Sequence, residues 1–404
     1  MARETNGTPS RGTKRARAKG ELPWRRARAW LVEAALPYWS RKGIDPKHGG
    51  FIEAAALDGT PLLQRDKRVR VQARQIYVMS HAALLGFGEK HLQAARAGFE
   101  FLTRCAWHPE GGFVHLLAPD GSVKDARRDT YDHAFVLLAL SWYLRASDDS
   151  RVEAWIERTL EAIERHLWEP ATASFREAVP EALPRRQNPH MHMLEAMVAL
   201  DEATGDPRAR GFVERMLTLF ETRFFNKESG TLTEYFDESW HPLSGAEGQR
   251  CEPGHHCEWL WLLKICERRY GGALRHWREA LYAFVDKFGR APASGLLYDE
   301  VAPDGRVLKP TMRCWPQTEA LKASLVRHEE GDAAARAEVL RACEALFSRY
   351  LALAPSGLWQ DQFDASGRAL ARDVPASTLY HLFLGFAELL RVAGAAEVPS
   401  GAQR

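Results

Sequence analysis

The sequence predicts an all-α fold: six helical hairpins closed into a toroid, with short β-hairpins in the loops. Three observations predict it. One short segment recurs six times, two amphipathic stretches at the 3.6-residue period separate successive copies, and neither end of the array is polar enough to cap an open solenoid.

The recurring segment sets a small or Gly residue before a large apolar one, often with an Asp-Gly turn behind. Its clearest copies are HGGFIEAAALDG from His48, EGGFVHLLAPDG from Glu110, SGLLYDEVAPDG from Ser294 and SGLWQDQFDASG from Ser356, with weaker ones around Phe175 and Leu232. Taking the large apolar residue as marker gives Phe51, Phe113, Phe175, Leu232, Leu297 and Trp359, spaced by 62, 62, 57, 65 and 62 residues. In the four clear copies a Gly lies eight residues after the marker (Gly59, Gly121, Gly305, Gly367), as a short hairpin with a tight turn requires.

Between these segments the apolar period predicts helices in pairs: 24–42 with 70–87, 89–107 with 127–146, 149–167 with 187–204, 206–224 with 251–269, 272–288 with 311–330, and 331–351 with 374–394. The second member of most pairs is the more apolar, as in HAFVLLALSWYL from His133, which suits an inner helix buried on most sides. Four inner helices open with X-Pro (Asn188-Pro189, Glu252-Pro253, Trp315-Pro316, Val374-Pro375), where the missing N–H of proline has no intrahelical partner to lose. The first and last helices keep strong apolar faces, which favours a closed ring.

Composition bounds the rest. With 45% hydrophobic and 27% charged residues, the 404-residue chain carries enough apolar surface for a large core. Much of the net charge of +2 sits in Arg11, Lys14, Arg15, Arg17 and Lys19. The expected organisation is a disordered basic tail over 1–22, one helical domain over 23–396 and a flexible C-terminus over 397–404. The near-neutral body leaves no footprint for nucleic acid. No apolar run follows the tail as in a secretory signal, and none reaches the roughly 18 residues of a membrane span. The six cysteines show no CxxC or framework spacing, so reduced thiols and a cytoplasmic location are expected.

Counted from each marker, a polar residue recurs at a similar phase: Arg74 after 23 residues, His133 after 20, His192 after 17, His255 after 23, Glu319 after 22 and His381 after 22. In a ring these side chains lie at similar height near the inner-helix N-termini and line one pocket. A single one, such as His133 in YDHAF, reads equally as a satisfied core histidine. Six in phase argue for function, because each would otherwise cost desolvation for no gain. No metal is expected: HMH and HH lack the i, i+4 spacing that puts two ligands on one helix face. GxxxxGK[ST], GxSxG and a strand-borne GxGxxG are missing, which removes support for phosphoryl transfer, α/β-hydrolase chemistry and dinucleotide redox.

Six motifs in order, KRVRVQARQIY (with Arg74), RDTYDHAF, RRQNPHMHMLEA, EPGHHCEWLWLL, RCWPQTEALKA and PASTLYHLFLGFAEL, resemble the N-acylglucosamine 2-epimerase superfamily, and most of all its D-mannose isomerase branch. The resemblance covers about residues 24–394. It implies an (α/α)6 barrel and a cofactor-free, metal-free enzyme acting on a monosaccharide, as a monomer or homodimer. It further implies that His255 and His381 are the catalytic acid/bases, that Arg74, Asn188, His192 and Glu258 contact the sugar or hold the histidines, and that Trp315 and Glu319 line the same cleft. The implied reaction is aldose–ketose isomerisation of D-mannose and D-fructose through a cis-enediolate, with 2-epimerisation as the alternative.

Disaccharide 2-epimerases typically read Gly-His-Asp-Ile-Glu where this chain has Gly254-His255-His256-Cys257-Glu258, a departure that favours isomerisation. Trp259, Trp315 and Trp359 suit stacking on sugar faces, although most of the tryptophans belong in a core. No basic cluster beyond Arg74 is expected in the pocket, which argues against a phosphosugar; Arg185 and Arg186 are the residues that could reach its rim. Inverting glycoside hydrolysis by a pair drawn from Glu258, Glu319, Asp361 and Asp373 would leave the histidines unexplained.

Overall fold

A computed structural model describes residues 22–395. The segments expected as a basic tail (1–22) and a flexible terminus (397–404) lie outside the described residues, apart from Leu22. Twelve long helical elements occupy the predicted stretches. The outer ones are α1 (Trp24–Ala29, continued by a π-helical stretch Trp30–Ala35 and by Leu36–Trp39), α3 (Glu89–Cys105), α5 (Arg151–Ala162, then π-helical Ile163–Leu167), α7 (Pro207–Leu219, then π-helical Phe220–Phe224), α9 (Arg275–Phe288) and α11 (Ala335–Ala345, then π-helical Leu346–Tyr350). The inner ones are α2 (Val69–Leu84), α4 (Thr130–Ala146), α6 (Gln187–Thr204), α8 (Pro253–Tyr270), α10 (Cys314–Glu329) and α12 (Leu379–Val392, entered through a 3-10 turn Ala376–Thr378).

The partners within each hairpin differ from the expectation. Each inner helix packs against the outer helix that follows it, α2 on α3 through α10 on α11, and α1 packs on α12. Chain length decides this. Only a few residues join an inner helix to the next outer one, as between Leu84 and Glu89, so the two must lie side by side. The recurring segment intervenes between an outer helix and the next inner one, which sets them in different pairs.

Contacts run in cyclic order through the inner helices, from α2 to α12 and back to α2. The loops repeat the cycle. The strand entering each inner helix pairs with the hairpin of the next unit: Lys67–Arg68 with Leu116–Leu117, Arg128–Asp129 with Ala178–Val179, Arg185–Arg186 with Tyr235–Phe236, and Met312–Arg313 with Gln362–Phe363. A bridge between Cys251 and Val301 serves the fourth unit, and Asp373–Pro375 returns to Ala54–Ala56 of the first. The inner helices are sheathed on both sides; α12, for example, buries Leu379, Leu382, Phe383, Phe386, Leu389 and Leu390 completely.

The repeat segment owes its pattern to one hydrogen bond. The marker N–H is accepted by a side chain from the fourth residue of the inner helix: Gln72 for Phe51 (2.6 Å), His133 for Phe113 (2.9 Å), His190 for Phe175 (3.0 Å), His256 for Leu232 (3.1 Å) and Gln317 for Leu297 (2.9 Å). Each histidine of this set donates Nδ1–H to a carbonyl one turn back, which leaves Nε2 free to accept. A buried N–H left unpaired would cost about 1–3 kcal/mol. Glycine before the marker follows from the same contact: Gly112 has φ +86°, and a Cβ there would stand 2.7 Å from Nε2 of His133.

Candidate active site

Two positions beyond that fourth residue, the sixth residues of the inner helices converge. They are Arg74, Phe135, His192, Glu258, Glu319 and, counted from the start of its 3-10 turn, His381. Four match the sequence expectation. His133 does not: it belongs to the hydrogen-bonding set, and Phe135 takes the pocket position. His255 sits one turn higher on α8, above Glu258.

The pocket wall is continuous. Arg74 lies over the ring of Phe135 at 4.1 Å and donates to the Tyr131 hydroxyl at 2.7 Å. The His192 ring contacts Phe135 and Tyr131, with centroids 4.5 and 5.1 Å apart, and its Nε2 stands 4.0 Å from Glu258 Oε1. Trp315 is wedged between the candidate acid/bases, 5.2 Å from the ring of His255 and 5.3 Å from that of His381. Gly254 makes the wedge possible, since a Cβ there would meet the Trp315 ring at 2.6 Å. Asn188 opens α6, half-buried, with its Oδ1 buried and unpartnered. All eight sequence-predicted site residues thus fall on the N-terminal portions of four neighbouring helices and α2.

The two histidines are tuned in opposite directions. His255 Nδ1–H donates to Glu234 at 2.9 Å. Burial opposes a charge on this ring, but Glu234 and then Glu252 outweigh it, raising His255 to about 9. His381 Nδ1–H donates to Glu319 at 2.8 Å, yet burial, with Arg74 and Lys322 close by, drives its pKa well below the usual histidine value. Burial also lowers His192 to about 4. Glu258 is held well above the carboxylate range by burial and the neighbouring Glu319, and neither of its oxygens has a hydrogen-bond partner. The site therefore presents one imidazolium, two neutral imidazoles and one protonated carboxyl.

Among the described residues, three groups of titratable side chains bring donor atoms within 4.8 Å of one another: His115 with Asp129 and Asp132, Glu234 with Glu252 and His255, and Glu258 with Glu319 and His381. Each is already matched by protein cations or N–H groups. Arg70 lies 3.2 Å from Asp132, Arg313 lies 3.1 Å from Glu252, and Lys322 lies 2.6 Å from Glu319.

The family described as N-acylglucosamine 2-epimerase (GlcNAc 2-epimerase) matches residues 49–385. This chain belongs to the N-acylglucosamine 2-epimerase family. A relative named mannose-6-phosphate isomerase, from Rhizobium meliloti strain 1021, is 36% identical over 89% of this chain and 95% of its own. A D-mannose isomerase from Thermobifida fusca is 30% identical over 74% of this chain and 78% of its own. The structure of cellobiose 2-epimerase from Spirochaeta thermophila DSM 6192 superposes with a TM-score of 0.81 at 24% identity, covering 92% of this chain and 96% of that one, which establishes the shared fold.

In this epimerase-family chain several residues of the pocket escaped sequence reasoning, and one had a signal. The residue two past each marker is ionisable in all six units: Glu53, His115, Glu177, Glu234, Asp299 and Asp361. In four of them the carboxylate accepts the backbone N–H of the residue that precedes the inner helix, Arg68, Arg186, Glu252 or Arg313. In the fourth unit that carboxylate, Glu234, also takes His255. Gln187 then fixes Glu234, donating to it at 2.8 Å while accepting from Trp259 at 2.6 Å. Trp259 and Trp359 are fully buried in the core, so Trp315 alone of the three named tryptophans faces the histidines. Arg185 is buried against Glu169 and does not reach a rim, whereas Arg186 stays partly exposed beside Glu177. Asp373 pairs with the exposed Arg65, away from Glu258 and Glu319.

Proposed function

We propose that this chain is a sugar isomerase interconverting D-mannose and D-fructose, carried by a single (α/α)6-barrel domain over residues 23–396 of a cytoplasmic monomer or homodimer that uses no cofactor. The observation that carries the reading is the opposite tuning of two histidines on either side of Trp315. A neutral imidazole beside an imidazolium is the pairing that proton transfer next to a carbonyl requires.

His381 is the base. On open-chain mannose its Nε2 takes the C2 proton, and the C–H electron pair forms the C1=C2 bond as O1 gains negative charge. His255, charged at neutral pH, donates a proton to O1. It then recovers one from O2 as the C2=O2 bond forms, and His381 returns its proton to C1, giving fructose. Arg74 and the inner-helix N-termini offset the negative charge that passes across O1 and O2. Glu258, protonated, is free to donate a hydrogen bond to a sugar oxygen. Trp315 offers an apolar face to the ring, and Asn188 and His192 complete the binding wall. Return of the proton to C2 from the opposite face would give the 2-epimer, which is the alternative outcome.

The test is proton NMR in heavy water with EDTA, offering D-mannose, D-glucose and N-acetylmannosamine separately. The expected result is fructose from mannose, with exchange abolished in His381→Ala. Glucose as first product would reassign the enzyme as an epimerase, and no exchange with any sugar would overturn the mechanism. The name of the Rhizobium meliloti relative makes mannose 6-phosphate the second substrate to offer. Besides Arg74, the cations at the inner-helix starts are Arg313, over the Trp315 ring at 5.4 Å, and Arg70 and Arg186, and each is already paired, with Glu252, Asp132 and Glu177.

A further inference from the structure

Behind His381 lies a buried cation that the reaction above does not use. Lys322, one turn after Glu319 on α10, is completely shielded from solvent and places Nζ 2.6 Å from Glu319 Oε2 and 4.0 Å from the centre of the Trp261 ring. The other oxygen of Glu319 accepts from His381 Nδ1 at 2.8 Å. Ammonium, carboxylate and imidazole thus form one line running from the interior of α10 to the pocket.

We propose that Lys322 is a positioning residue that keeps Glu319 ionised and so fixes the tautomer of His381, with the proton on Nδ1 and the bare nitrogen, Nε2, toward the substrate. The inference rests on the reading of His381 as the base. Its physical basis is the choice a buried carboxyl faces. Facing a cation at 2.6 Å, with both groups shielded from solvent, a carboxylate is the favoured form and can only accept; it therefore holds His381 as the Nδ1–H tautomer. Without the cation the same oxygen is cheaper to bury protonated. A protonated Glu319 donates to Nδ1, the ring proton moves to Nε2, and the atom facing C2 loses its lone pair.

The surroundings make Lys322 the deciding charge. Burial raises Glu319 above the usual carboxylate range and Lys322 is the largest charge opposing that shift, while Glu195 from α6 adds negative charge to the same cluster. His192 from α6 is neutral, and Tyr380 from α12 donates to Glu195 at 2.5 Å, so neither supplies a countercharge to Glu319; the His255 imidazolium from α8 acts in the same sense as Lys322 but more weakly. Arg74 from α2 acts on His381 itself and lies across the pocket, over Phe135.

The experiment compares wild type with Lys322→Met, Lys322→Arg and Glu319→Gln, reading two quantities. The first is the His381 tautomer in 15N-histidine-labelled protein, which needs no substrate. The second is the pH dependence of kcat and KM for mannose. Lys322→Met is expected to move the ring proton to Nε2 and to lower kcat about 100-fold near neutral pH with KM nearly unchanged, the acid limb shifting to higher pH because an uncompensated Glu319 ionises later. Lys322→Arg should restore the wild-type tautomer and most of the rate. Glu319→Gln gives the same flip by another route, since Lys322 draws the amide oxygen and leaves the NH2 to donate to Nδ1; it serves if Lys322→Met does not fold. An Nδ1–H tautomer in both Lys322→Met and Glu319→Gln, or loss of stability with an unmoved pH profile, would overturn the proposal. A flipped tautomer in a protein inactive on every sugar would instead keep the role of Lys322 and discard the isomerase reading.

Discussion

His255 and His256 are neighbours in the chain, both buried, both on the first turn of α8, and they live in opposite regions of the molecule. His256 faces the outer shell. It stacks on Phe284 at 4.8 Å, accepts the Leu232 N–H, and is lowered by burial to about 4. His255 faces the pocket, where Glu234 and Glu252 overcome the same burial and raise it to about 9. A rotation of one residue, about 100° around the helix, separates a ring that must stay neutral to hold a loop from one that must be charged to give a proton. Burial alone therefore says little about a histidine's role; the carboxylates that share its cavity decide it.

The sharpest way to break this contrast is to remove each ring in turn. His255→Ala is expected to lower kcat by about 10²–10⁴, the usual span for a general acid, even in the fraction that stays folded after Glu234 loses its buried partner. His256→Ala should instead cost about 1–3 kcal/mol in denaturant unfolding because the Leu232 N–H loses its partner, with kcat retained in the fraction that stays folded. Equal losses of activity from the two would erase the distinction.

Glu234→Gln probes the cause of the tuning with less damage. His255 in the wild type is protonated below about 9, so activity that needs the imidazolium is lost as pH rises through that value. Removing the carboxylate lowers the folded-state pKa, and the alkaline limb of kcat/KM should move to lower pH, with a drop of roughly tenfold at pH 8. An alkaline limb that does not move would assign it to another group. Gly254→Ala acts on geometry alone: its new Cβ would meet Trp315 at 2.6 Å and push the indole from between the two histidines. Both kcat and KM are expected to worsen several-fold, with both histidine pKa values kept, since misplacement by an ångström is itself costly.

The sequence made the periodic features legible and left the angular ones obscure. Marker residues, hairpin glycines and twelve helices follow from spacing, because each repeats in every unit. The in-phase count found Arg74, His192, Glu319 and His381 for the same reason. It mistook His133 for a pocket residue because a marker-to-helix count drifts by a few residues when loop lengths differ, and an error of two residues turns a side chain about 200° around a helix. Counting from the hydrogen-bonding side chain at the fourth helical position would have corrected it, giving Phe135. Hairpin partners were misassigned because the apolar period marks helices and not their neighbours. Lys322 gave no signal, since a lysine within an apolar helix stretch has meaning only once Glu319 stands beside it.

The smallest expected effect tests whether the shell position is truly interchangeable. Five units satisfy the marker N–H from the fourth residue of the inner helix, three with His and two with Gln. The amide and the imidazole do equivalent work. Gln72 and Gln317 accept the N–H through Oε1 and use Nε2 to donate to the marker carbonyl, whereas the histidines donate from Nδ1 to a carbonyl of the preceding turn. His256→Gln and His133→Gln should then lie within about 1 kcal/mol of wild type in denaturant unfolding, far closer than the corresponding alanines, because the N–H keeps an acceptor and only ring packing is lost. The residual difference should be larger at 256, where the ring stacks on Phe284, than at 133, where the contact with Phe113 is edge-on at 6.0 Å. A glutamine as damaging as alanine at both sites would mean that the ring, and not its lone pair, holds the hairpins in place.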